Sequence, residues 1–149
     1  MGLSEDIQQR EFVNEQQKVL INLLYTYNHV INEMNVFFKQ HDLTRQQYNV
    51  LRILRGQFPK PSTINLIKER MLDKMSDASR IVQRLEQKSL IERKISFDDR
   101  RSVEIRIADA GLLLLAQTDE SVKGFTHLAE NLSDSEAKQL NFLLDKMRK

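Results

Sequence analysis

A chain of 149 residues and 17.6 kDa, 40% hydrophobic and 30% charged, fits one compact domain or protomer; a length of that order buries roughly 68 to 70% of the unfolded surface. The absence of cysteine excludes a disulfide framework, a thiolate zinc or iron–sulfur site and thiol chemistry, and fits a cytoplasmic setting. The net charge of +2 hides a division, since residues 44–107 are net +7 and the remainder net −5, so the middle is expected to meet a polyanion.

The four glycines, Gly2, Gly56, Gly111 and Gly124, lie too far apart for a phosphate cradle, and no cofactor is expected. The start of the chain, with no basic region before an apolar run and Asp6 in place of Ser or Thr, is expected to carry neither a leader nor a lipid anchor. The longest unbroken apolar run, Leu112 to Ala116, is far too short to cross a bilayer, so no membrane partner is expected.

From about Glu5 to Gln40 neither Pro nor Gly interrupts the chain, and Leu20, Leu24, Tyr27, Ile31, Met34 and Phe38 alternate steps of four and three, the seam of a heptad helix. A second row at Val19, Leu23, Val30 and Phe37 widens the stripe beyond one packing face. One long helix is therefore expected to bury one side in its own chain and the other in a second copy.

After His41 and Asp42 a new helix begins, with Thr44 as N-cap, Gln47 closing a capping box and Leu43 as a staple. It is expected to bury Tyr48, Leu51, Ile53 and Leu54 and to stop near Gly56. Pro59 and Pro61 mark a turn, and Ser62 or Thr63 caps a short helix to about Met71. From Ser76 to about Ser89 a third helix gathers Ala78, Ile81, Val82 and Leu85 in one arc and Ser76, Arg80, Gln83 and Gln87 in the other, with Ser79 and Arg84 at its flanks.

The period then changes to two. Ile91, Arg93 and Ile95 alternate with Glu92 and Lys94, and Val103, Ile105 and Ile107 alternate with Glu104 and Arg106, as in two half-buried strands. Between them Ser96–Ser102 reads as a projecting, charged hairpin tip. Asp109 is expected to cap the next helix, which carries Leu112 to Ala116, Val122, Phe125, Leu128 and Ala129. A capping box from Ser133 to Glu136 opens a last helix with Leu140, Leu143, Leu144 and Met147 inward.

This order predicts a mainly α fold with a small β-hairpin: a winged helix-turn-helix core flanked by N- and C-terminal helices. Three regions follow, residues 1–40, 41–108 and 109–149. The plan suits duplex DNA, because the major groove admits a helix and its base edges are read by side-chain donors and acceptors. On the third helix Ser76, Ser79, Arg80, Gln83 and Arg84 supply hydroxyl, amide and guanidinium groups, with Arg80 placed to read a guanine through bidentate bonds. Arg100 and Arg101 at the end of a two-stranded lever suit a minor groove, and Asp98 or Asp99 is expected to orient one guanidinium.

Three strings carry a family resemblance: LTRQQYNVLRIL at 43–54, SRIVQRLEQKSLIERK at 79–94 and DDRRSVEIRIADAG at 98–111. With the long first helix and two terminal helices around them, the chain resembles the MarR (multiple antibiotic resistance regulator) family of transcription regulators. The resemblance implies a homodimer on a palindromic operator, with the helix from 76 to 88 in the major groove and Arg100 and Arg101 at the wing tip. It implies that Ser62 or Thr63 meets the phosphate backbone and that the terminal helices form the dimer interface, which places Leu20, Leu24, Tyr27, Ile31, Leu140, Leu144 and Met147 there. Repression by occlusion of a promoter, and a small aromatic or lipophilic effector at an unassigned pocket, are also implied. Two departures stand out: Ser89 occupies a turn where the family usually carries Gly, and the usual threonine before Gly111 is replaced within Ile107–Ala110.

His29, His41 and His127 show no pairing that argues for a metal, and Ser, His and Asp share no catalytic motif, so neither a metal site nor an enzyme is expected. The alternative is a winged-helix scaffold for protein partners, without specific DNA binding. Salt separates the two, because duplex binding weakens steeply as salt rises.

Overall fold

The computed structural model describes residues 2–149, with Gly124 described by its backbone only. The chain divides between Asp42 and Leu43 into two compact units. The first holds α1 (Leu3–Asp6) and the long helix α2 (Glu15–Gln40). The second holds α3 (Arg45–Gln57), α4 (Ile64–Arg70), α5 (Ala78–Gln87), β1 (Ile91–Ile95), β2 (Val103–Ile107), α6 (Asp109–Lys123), a 3-10 segment (Gly124–Ala129) and α7 (Asp134–Met147).

The single helix expected from Glu5 to Gln40 is two helices. Gln8 takes a left-handed φ of 53°, and the chain becomes helical again only at Glu15, after the N-cap Asn14, whose side chain accepts from the Gln17 amide at 2.8 Å while the Gln17 side chain accepts from the Val13 amide at 2.7 Å. That exchange of side-chain and backbone bonds starts α2 where neither Gly nor Pro signals a break. Along α2 the ring of Phe37 meets Phe38 edge-on, with centroids 5.1 Å apart.

In the second unit α3 is the central element, packed against α4, α5, α6 and β2. Its start follows the sequence closely: Thr44 accepts from the Gln47 amide at 3.1 Å, the Gln47 side chain accepts from the Thr44 amide at 3.2 Å, and Leu43 and Tyr48 are both buried, as a capping box with its staple requires. Val50, Leu51 and Leu54 form its buried face, with Ile53 only half-buried. Ile67, Ala78, Val82, Leu85, Ile91, Ile105, Ile107 and Leu115 complete the core.

The two strands pair antiparallel in the register Ile91 with Ile107, Arg93 with Ile105 and Ile95 with Val103. Ser62, between α3 and α4, adds a short third rung, exchanging two backbone hydrogen bonds of 2.8 Å with Ile105. A mostly helical chain with a two-stranded hairpin in this order is a winged helix-turn-helix. Several boundaries differ from those read in the sequence. The helix expected from Ser76 begins at Ala78, capped by Asp77; Asp109 is the first residue of α6 rather than its cap, since Leu112 already bonds back to Ala108; and α6 gives way to the tighter 3-10 turn at Gly124. The last helix, α7, buries none of its residues, so Leu140, Leu143 and Met147 are exposed and Leu144 half-buried instead of lying inward.

Candidate nucleic-acid interface

The polar face of α5 is set by its cap and its core. Asp77 accepts from the Arg80 amide at 3.2 Å, which satisfies an otherwise orphaned donor of the first turn, while Ala78, Val82 and Leu85 are fully buried beneath. That packing turns Ser79, Arg80, Gln83, Arg84 and Gln87 to solvent. Ser76 lies half-buried before the helix, in the turn held by Asp73. The Asp73 carboxylate accepts from the Met75 amide at 3.0 Å, and this bond, followed by the Ser76 side chain, holds its carboxyl below the usual range. An open groove of about 260 Å³ runs between the start of α3 and α5, with Thr44 and Gln47 on one wall and Arg80 and Arg84 on the other.

The hairpin is joined to α5 by an unusual turn. Leu90 bonds back to the Leu85 carbonyl at 3.1 Å and Ser89 to Glu86 at 2.9 Å, the paired bonds of a Schellman motif, with Ser89 at a φ of 59°. Ser89 thus takes the left-handed conformation for which glycine is favoured. The Glu86–Arg93 ion pair, 3.1 Å, ties the same helix to β1. Behind the turn, Gly111 lets α6 approach so closely that a Cβ there would lie 2.3 Å from the Leu90 carbonyl oxygen and 2.7 Å from Ile107. The absence of a side chain at Gly111 is therefore what allows α6 to pack against the base of the wing.

At the wing tip Arg100 and Arg101 are exposed and, among the described residues, neither guanidinium is held by a carboxylate. The expected charge-assisted contact from Asp98 or Asp99 is replaced by a backbone one: Asp99 accepts from the Arg101 amide at 3.0 Å, closing a local turn, and Asp98 is exposed. The carboxylate shapes the loop and leaves both guanidiniums free. Ser62 is the second correction. The backbone rung to Ile105 holds it inside, where its side chain is 1% exposed and its hydroxyl unpartnered among the described residues; it offers no surface to a phosphate. Its neighbour Thr63 is exposed and caps α4, accepting from the Leu66 amide at 3.2 Å.

Of the residues assigned to a dimer interface, Leu20, Leu24 and Tyr27 are 55%, 63% and 48% exposed and Ile31 is half-buried. Sequence reasoning missed two features. The bidentate pair of Arg55 with Asp119, at 2.9 and 3.0 Å, joins α3 to α6 across 64 positions, a separation no local pattern reports. Phe97, fully exposed at the wing tip, was legible as a lone aromatic in a charged loop.

The sequence matches the MarR family over residues 43–103, the span from α3 to the start of β2. It is 31% identical over 98 residues to the HTH-type transcriptional regulator MhqR of Bacillus subtilis (strain 168), a match spanning 66% of this chain and 66% of that protein. A MarR transcription factor from Planctomyces limnophilus superposes with a TM-score of 0.68 at 31% identity, covering 93% of this chain and 98% of that one. A mutant MarR from E. coli in complex with operator DNA shares the fold at a TM-score of 0.79 and 22% identity, over 93% of this chain and 99% of that one.

Proposed function

Because the chain belongs to the MarR family of DNA-binding transcription regulators, we propose that it acts in the cytoplasm as a homodimeric repressor, occluding a promoter by binding a palindromic operator. The observation that carries this reading is the pairing of a polar, solvent-facing side of α5 with a hairpin whose two tip guanidiniums are unpaired among the described residues. The helix enters the major groove, where Arg80 reads a guanine and Ser79, Gln83 and Arg84 contact bases and phosphates. Ser76, half-buried at the approach to the helix, and Thr63, at the start of α4, face the backbone of the duplex. Arg100 and Arg101 enter the minor groove, where the potential is most negative.

The terminal regions, residues 1–40 and 109–149, supply the dimer interface. Leu20, Leu24, Tyr27 and Ile31 on α2 form one apolar row and Leu140, Leu144 and Met147 on α7 another, and each row is covered by pairing with a second copy. Two-fold symmetry then sets the half-sites about one helical turn, roughly 34 to 36 Å, apart on one face of the duplex. A small aromatic or lipophilic effector releases the operator by favouring the dimers whose recognition helices are wrongly spaced.

The test is selection of the purified protein against random duplexes, with sequencing of the retained pool. Enrichment of an inverted repeat whose binding weakens steeply with salt is the expected result. A pool without a repeat at any salt concentration would overturn the operator reading.

A further inference from the structure

One face of the wing begins in the core and ends in solvent. Ile91, Ile105 and Ile107 are buried at its base, whereas farther out Ile95 is 69% exposed, its cross-strand partner Val103 is 36% exposed, and Phe97, two residues beyond Ile95, is 100% exposed. Ser96 between them is buried and accepts from the Asp99 amide at 3.4 Å, and its own amide donates to the Ser102 carbonyl at 2.9 Å, so the ladder reaches the foot of the tip. Ile95, Val103 and Phe97 thus leave three apolar side chains bare toward the end of a short, bonded ribbon.

The charges of the same ribbon define a partner for this surface. Along the ribbon Arg93, Lys94 and Arg106 are each paired, with Glu86 at 3.1 Å, Glu92 at 3.9 Å and Glu104 at 3.0 Å. Of the cations on the described hairpin, Arg100 and Arg101 are left without an ion pair, and Asp99 is turned into the loop backbone. The same short tip thus carries a bare ring and two unpaired guanidiniums, which suits a polyanion with an apolar slot. The minor groove has both features, since phosphates line its rims and stacked bases with their sugars form its floor and walls. The Glu86–Arg93 pair and the bonded turn at Ser89 tie the ribbon to α5, so the tip is presented to the same partner that α5 reads.

The geometry points to Phe97 as an apolar wedge that enters the minor groove beside each half-site and partly unstacks one base step, with Arg100 and Arg101 holding the groove on either side. This rests on the proposed placement of the wing in the minor groove and adds a mode of readout to it. Apolar wedges of this kind kink a duplex toward the major groove by about 20 to 90°. The protein therefore favours a flexible pyrimidine–purine step at a position where it makes no base hydrogen bond.

The experiment uses the 149-residue chain and the duplex recovered by selection, with 2-aminopurine at the step under the wing and a donor–acceptor dye pair at the ends. Wild type brightens the 2-aminopurine and shortens the end-to-end distance. Phe97→Ala binds about tenfold more weakly with an unchanged salt slope, without the brightening and with less bending, while Phe97→Leu keeps most of both signals. Replacing Arg100 and Arg101 by Ala instead lowers the salt slope, by about 0.9 for each phosphate that is no longer neutralised. A Phe97→Ala protein that binds, brightens and bends like wild type overturns the wedge and makes the ring a contact for another protein. Should the double arginine variant behave as wild type, the wing is not in the groove and the wedge falls with it. Failure of the wild-type protein to bind any duplex would sink the operator reading itself.

Discussion

Ser89 shows how one residue carries the angle between a helix and a strand. Its φ of 59° is stabilised by the two back-bonds of the Schellman motif, yet a side chain in that conformation is crowded by its own backbone. Ser89→Gly is therefore expected to raise stability by about 1 kcal/mol, read as a higher urea midpoint at unchanged slope. Gly111 has the opposite sense. A methyl group there meets the Leu90 carbonyl oxygen, which belongs to the backbone of that same turn and has little room to yield. Gly111→Ala is expected to cost about 1 to 3 kcal/mol, and a variant as stable as wild type would show that α6 shifts freely. Arg80 is a residue of another kind, exposed and contributing little to folding. Arg80→Ala should weaken binding to the selected operator by about 1 to 3 kcal/mol and leave binding to random duplex unchanged, so equal losses on both would remove it from base readout.

Elements are joined here by a few directional contacts laid over an apolar core. Arg55 on α3 and Asp119 on α6 form a bidentate pair that fixes the relative position of two helices already in contact. The guanidinium hydrogen bonds hold the Asp119 carboxyl below its ordinary value of 3.8. A depressed carboxyl pKa stabilises the fold above the unfolded value and ceases to do so as pH falls through the folded one. Asp119→Asn is thus expected to unfold at a lower temperature than wild type at pH 6, by a margin worth less than about 1 kcal/mol because both side chains are partly exposed. The margin should shrink below about pH 4; a constant gap down to pH 2.5 would mean that the pair contributes through packing alone. Pairing of this sort lies beyond any reading of local sequence. The capping box of α3 was fully legible because its partners, Thr44 and Gln47, lie three positions apart.

For the whole molecule the decisive surface is the one a single chain leaves bare. Leu24 is 63% exposed on the seam of α2, and α7 carries apolar residues of which none is buried. Leu24→Asp places a charge in the proposed interface, where it would be desolvated, and is expected to give monomer or aggregate in sedimentation velocity; an intact soluble dimer would move the interface elsewhere. The core of this protein is legible from local order along the chain. Periods of 3.6 and 2, caps at Thr44, Thr63 and Ser133, and the apolar arc of α5 are local physics, and they led to the winged helix-turn-helix and to the outward placement of Arg80, Gln83 and Arg84. Its strings at 43–54, 79–94 and 98–111 led in turn to the family. The rest emerges from contacts made in the folded chain. The tertiary structure broke the first helix at Gln8, where no Gly or Pro gave warning, and it buried Ser62 by pairing its backbone with Ile105, 43 positions away. It also turned Asp99 to the Arg101 backbone instead of a guanidinium and set Phe97 bare at the tip. The physical reason is common to these cases: each depends on which groups the fold brings within hydrogen-bonding reach or leaves in water, and neither follows from the order of residues along one element.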